Sequence, residues 1–133
     1  MSDVTFHIDA SRLPVLVARW PSTWASMIAC ESALQEMAAC RRHGRIAWVV
    51  DVRASSKPSM QERGLIAAFL RQLREGDSDV GGFAVVSTSK TARGVMLALN
   101  WLARRPYPIE PFADIDSAIA WAAGAAAPPP PRR

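Results

Sequence analysis

The sequence predicts a single-domain α/β protein with the order β-β-α-β-α-β-α-(β)-α. Three features predict it. The stretch from Ile46 to Val52 is apolar almost throughout and carries an acidic residue, Asp51, near its end. A strand of that composition suits the middle of a sheet with both faces covered. Apolar residues then recur at helical spacing after each of the later strands, so helical crossovers link parallel neighbours. The N-terminus differs, because two strand-like runs follow each other across a short polar link, which reads as a hairpin. The expected sheet is mixed, parallel in the middle, with an antiparallel N-terminal hairpin strand. The order alone leaves open whether the helices cover both faces or mainly one.

The elements follow in order. Val4 to Asp9 alternates apolar and polar, the pattern of a half-buried strand. Ala10-Ser11-Arg12 reads as a turn, and Leu13 to Trp20 as a second strand rich in β-branched residues. Pro21-Ser22-Thr23 ends that strand and offers a cap for a helix from about Thr23 to Arg42, stopped by His43-Gly44. Met27, Cys30, Leu34 and Met37 form its core stripe. A second helix runs from Ser59 to about Glu75-Gly76, with Ile66, Phe69, Leu70 and Leu73 inward. Phe83 to Ser87 is the next strand. Ser89 or Thr91 caps a third helix through Leu102, and Arg104-Arg105-Pro106-Tyr107-Pro108 breaks it. Ile109 to Phe112 is a short edge strand, since Pro111 is tolerated only at an edge. Asp114 caps the last helix. The domain is expected over residues 1–124. Residues 125–133, with four prolines and two arginines, are expected to form a disordered or polyproline II tail.

Composition narrows the function classes. The chain has 133 residues, half of them hydrophobic, which suits one packed core. Its net charge of +4 is scattered rather than striped, and Arg41-Arg42 and Arg104-Arg105 fall at helix ends, where the dipole favours cations. No nucleic-acid partner is therefore expected. No integral membrane segment or signal peptide is read, so a cytoplasmic location is expected. Cys30 and Cys40 lie ten residues apart on one helix, about 15 Å of rise and beyond disulfide reach. No Cys/His spacing suggests zinc, His7 and His43 being single histidines far apart in the chain, and no metal or cofactor is expected. Trp48 is assigned to the core, Trp20 and Trp24 flank a strand-to-helix junction, and Trp101 and Trp121 sit on late helices.

The candidate site is the edge of the sheet where the parallel strands end, which is where open α/β folds engage ligands. Asp51 and Arg53 close the third strand, and the loop beyond them holds Ser55, Ser56 and Lys57. Ser59 and Glu62 form a Ser-x-x-Glu capping box. At the next junction, Ser87, Ser89 and Lys90 offer hydroxyls and a cation for an interaction or anion site. The glycine spacing of a Walker loop is missing. A receiver-type aspartate at Asp51 needs an acidic pair after the first strand, and none follows it. No nucleophile has a base in evident reach, so no catalytic residue is assigned.

Taken together, several segments resemble the small bacterial STAS-like proteins, the SpoIIAA-like group related in fold to the STAS and SEC14 classes. They are Trp20-Pro21-Ser22-Thr23-Trp24, Val50-Asp51-Val52-Arg53, Arg93-Gly94, Asn100-Trp101-Leu102, Phe112-Ala113-Asp114 and Ala118-Ile119-Ala120-Trp121. The resemblance covers all but the tail. It implies a non-enzymatic regulatory or protein-interaction domain like the STAS anti-sigma-factor antagonists, in which a partner kinase phosphorylates a serine at the start of the helix after the third strand. The matching position is Ser59, with Ser55 and Ser56 in the loop before it. A protein partner and self-association as a homodimer are the implied binding modes. The SEC14 relation implies the alternative, a small-ligand or lipid-binding domain holding an apolar molecule beneath the helices.

Overall fold

The computed structural model of the chain describes residues 5–40, 44–55, 59–76, 80–88 and 109–127. The strands are β1 (His7–Arg12), β2 (Val15–Arg19), β3 (Ile46–Asp51), β4 (Val80–Val86) and β5 (Ile109–Phe112). The helices are α1 (Met27–Ala39), α2 (Met60–Gly76) and α3 (Ile115–Ala126). The five strands form one sheet in the order β1-β2-β3-β4-β5. β1 pairs antiparallel with β2, and every other pair is parallel. This is the mixed α/β sheet that the sequence predicts. The expected third helix, from Ser89 or Thr91 to Leu102, lies outside the described residues.

Register sorts the side chains into two layers. Leu16, Trp48, Phe83 and Ile109 are successive partners across four strands. All four are buried, and they pack with Cys30, Leu34 and Met37 of α1 and Ile66 and Phe69 of α2. The alternate residues Val15, Ala47, Val49, Ala84 and Val86 face the other way, onto Ala118, Ala122 and Ala126 of α3. Since side chains alternate across a strand, β2 to β5 each supply both cores. Helices therefore cover both faces, α1 and α2 on one and α3 on the other. β5 lies at the sheet edge, where Pro111 withholds no hydrogen bond that the sheet needs.

Several boundaries differ from the sequence reading. β1 extends through Arg12, and the tight turn is Leu13-Pro14, joined by a cis peptide. The turn chemistry of Ala10-Ser11 is present inside the strand instead. Asp9 accepts the Ser11 N–H at 2.8 Å, and the pairing register slips between Asp9 and Arg12. α1 begins at Met27 rather than Thr23, because Ser26 is the cap that takes the Ala29 N–H at 3.0 Å. Trp24 is meanwhile held against Trp20 and Phe6. β4 begins three residues earlier than expected, at Val80, and includes Gly81-Gly82. A Cβ at Gly81 would run into the Ala125 carbonyl, so these glycines are where α3 lies closest to the sheet. α3 continues to Ala126, which is buried, so Ala125 and Ala126 belong to the packed helix rather than to the tail.

Candidate functional site

The parallel strands end together, and backbone hydrogen bonds join their ends. Trp20 N–H donates to the Asp51 carbonyl at 3.0 Å, Val52 N–H to Val86 at 3.0 Å, and Ser87 N–H to Phe112 at 2.9 Å. This ladder sets the positions from which the two loops and three helix starts project.

Asp51 is the buried acid of this edge, only 5% exposed. Its carboxylate is fully engaged by its neighbour two residues on. Arg53 Nε donates to Oδ1 at 3.0 Å and Nη2 to Oδ2 at 2.9 Å, while the Arg53 backbone N–H also donates to Oδ1 at 3.1 Å. Burial alone would push the Asp51 carboxyl up. The hydrogen bonds and charge of Arg53, with Arg19 adding a smaller attraction, outweigh burial and hold it below the usual carboxylate range. The same pair raises Arg53, and Asp114 and Asp116 at the start of α3 add to that pull. Asp114 is itself lowered by the backbone and side chain of Ser117, which it caps at 2.8 and 2.9 Å.

The β3–α2 loop is tied down from inside. Ser55 donates its hydroxyl to the Pro21 carbonyl at 2.7 Å, linking this loop to the one between β2 and α1. Ser59 closes the loop with the predicted capping box. Its hydroxyl accepts the Glu62 N–H at 3.1 Å, and its own N–H donates to Glu62 Oε1 at 3.0 Å. Ser59 is exposed, as is Met60 beside it. Among the described residues, Ile28 in the first turn of α1 is the other large apolar side chain standing out at this edge. The two are 77% (Ile28) and 83% (Met60) exposed. α1 and α2 pack against each other and start from the same end of the parallel strands, so both residues stand at the strand-end edge.

The structure thus brings Asp51, Arg53, Ser55 and Ser59 to one edge. Ser87 lies at the end of β4 on that edge and is buried. Ser56, Lys57, Ser89 and Lys90 lie outside the described residues. A further feature is missing from the sequence reading. A groove of about 580 Å³ runs between the start of β1 and α1, with Phe6, Pro21 and Trp24 at one end and Glu36 at the other. The signal for it was the hairpin: His7 pairs with Arg19, which carries Phe6 toward Trp20 and so toward Trp24. Among the described residues, no three His, Cys, Asp or Glu side chains gather as a metal site. No described helix is long and apolar enough to cross a membrane.

Comparison with known proteins agrees with this geometry. The structure is similar to the crystal structure of an uncharacterized DUF3478-family protein with a SpoIIAA-like fold from Shewanella loihica PV-4. The TM-score is 0.67 at 12% identity, over 89% of this chain and 92% of that one. At that identity the likeness shows the fold alone. No curated protein matches the sequence. The SpoIIAA-like family profile matches residues 22–123, which is 102 of the 133 positions and spans α1 through most of α3. The chain belongs to the SpoIIAA-like family.

Proposed function

We propose that this chain is a non-enzymatic regulatory domain that docks a protein partner at the strand-end edge, with phosphorylation of Ser59 as its switch. One observation carries the reading. Ser59 is exposed at the cap of α2, directly before a large exposed apolar residue, Met60, so a charge added at Ser59 falls beside an apolar side chain open to a partner. A phosphate there adds about two negative charges. It would sit where the Ser59 hydroxyl now meets the Glu62 backbone, with the Glu62 carboxylate already at 3.0 Å from the Ser59 nitrogen. Like charges at that spacing push Glu62 off the cap and re-form the surface around Met60. The acidic groups of the edge favour a structural over a catalytic role, since Asp51 is held by Arg53, Glu62 caps α2 and Asp114 caps α3.

The lipid-binding alternative needs space beneath the helices. Between α1, α2 and the sheet, the space lined by Trp20, Leu34, Ile66 and Phe69 is about 10 Å³. That is about the volume one water needs, not a lipid chain.

Photo-crosslinking tests the docking reading. A photoreactive residue at Met60 should trap a discrete partner in the native host, and Ser59→Asp should change that yield severalfold while leaving the fold intact. A photoreactive residue at Ala123, exposed on α3, should trap none of it. Equal yields from both positions, or a Met60 crosslink indifferent to Ser59→Asp, would sink the proposal.

A further inference from the structure

We infer that the groove beside α1 binds the proline-arginine tail of a second copy of this chain. The occupant is Pro128 to Arg133, which reads Pro-Pro-Pro-Pro-Arg-Arg. The groove has the chemistry that proline-rich segments use. Phe6 and Trp24 stand 6.0 Å apart and tilted by 41° and form an aromatic wall at one end, with the buried Trp20 backing Trp24 edge-on at 5.7 Å. Proline rings pack on such walls in the polyproline II conformation, which is already extended and loses little entropy on docking. Tryptophan adds an indole N–H that can donate to a proline-rich backbone carbonyl. The floor is made of small α1 residues, Ala29, Ser32 and Ala33, which let an extended chain lie close.

Length and charge set the direction. From the first turn of α1 at Met27 to Glu36, the helix rises about 14 Å. Four to five steps of polyproline II, from Pro128 to Arg132 or Arg133, span about 12–16 Å. Prolines on the Trp24 wall therefore bring the arginines to the exposed Glu36 carboxylate.

Topology makes the occupant a second copy. α3 starts at the strand-end edge and finishes at the opposite edge, where Ala125 and Ala126 meet Gly81 at the start of β4. It also lies on the sheet face opposite α1. A tail of six residues reaches about 19 Å. Returning along a five-residue strand takes about 17 Å of that. Too little length remains to round the sheet to the other face and still lie in the groove. A neighbouring molecule meets no such limit.

The test uses the full chain, labelled with nitrogen-15, and a synthetic Ala-Pro-Pro-Pro-Pro-Arg-Arg peptide. The peptide should shift the Trp24 indole and the Ala29 and Ala33 amides saturably. Dilution of the full chain alone from millimolar to micromolar should move the same resonances. Trp24→Ala should weaken peptide binding about tenfold. Glu36→Gln lies on an exposed helix face that folding does not need, and it should weaken binding about threefold at low salt and remove its salt dependence. A peptide with alanine for every proline should not bind. Shifts that map away from α1, or binding unchanged in Glu36→Gln and by the alanine peptide, would overturn the assignment. Peptide binding without any dilution effect in the full chain would overturn the second copy as occupant.

Discussion

Gly81→Ala is expected to lower stability by about 3 kcal/mol and the melting temperature by about 10 °C. The added methyl would meet the Ala125 carbonyl oxygen and carbon, with the Ala126 Cα at 3.2 Å. All three are backbone atoms, so no side-chain rotation relieves the clash, and α3 must retreat. Retreat opens the alanine seam of Ala118, Ala122 and Ala126 over Val49, Ala84 and Val86. A few kcal/mol is a large share of the roughly 5–15 kcal/mol that holds a domain folded. Gly64→Ala is the internal control. Gly64 lies in the second turn of α2 with open space around it, so the same substitution there should stabilise by about 0.5–1 kcal/mol through helix propensity. Urea denaturation of the two variants should give shifts of opposite sign. Equal and small shifts would show that α3 does not press on β4 as described.

Asp51→Ala is expected to cost about 1–2 kcal/mol at neutral pH, from three lost hydrogen bonds to Arg53. The loss stays below that of a fully buried ion pair, because the Arg53 side chain is 39% exposed and can turn to water. The effect depends on pH with a definite sign. The folded carboxyl titrates below its unfolded value of about 3.9. Its contribution is therefore complete above about pH 4 and is lost as pH falls through the lower folded value. The stability gap between the wild type and Asp51→Asn should be constant from pH 7 to about 5 and close in stronger acid. Asp9 and Asp114 are also lowered, by Ser11 and Ser117, so the acid limb of the wild type alone does not isolate Asp51. The difference between the two proteins does. A gap that widens in acid would mean that burial outweighs Arg53.

The fold was legible where burial was two-sided or a cap was local. β3 was readable from its unbroken apolar run, and its six residues are all buried. The α2 and α3 starts were readable because Ser59 with Glu62, and Asp114 with Ser117, bond within three residues. What failed depended on distant contacts. The sequence reading starts this strand at Phe83, and the close approach of α3, more than forty residues on, is what fits Gly81 and Gly82 into it. Thr23 looks like a helix start until Trp24 docks on Phe6 and Trp20. The site divides in the same way. Asp51 and Ser59 could be placed at the strand-end edge from order alone. That Arg53 would close on Asp51 required side-chain geometry, and the groove required the hairpin register.

The switch at Ser59 is best tested by the intact mass of the protein isolated from its native host, before and after phosphatase, with the modified residue mapped. The predicted result is a phosphatase-sensitive form whose phosphate maps to Ser59. An unmodified chain that retains a small apolar ligand would contradict the switch and restore the lipid-binding reading.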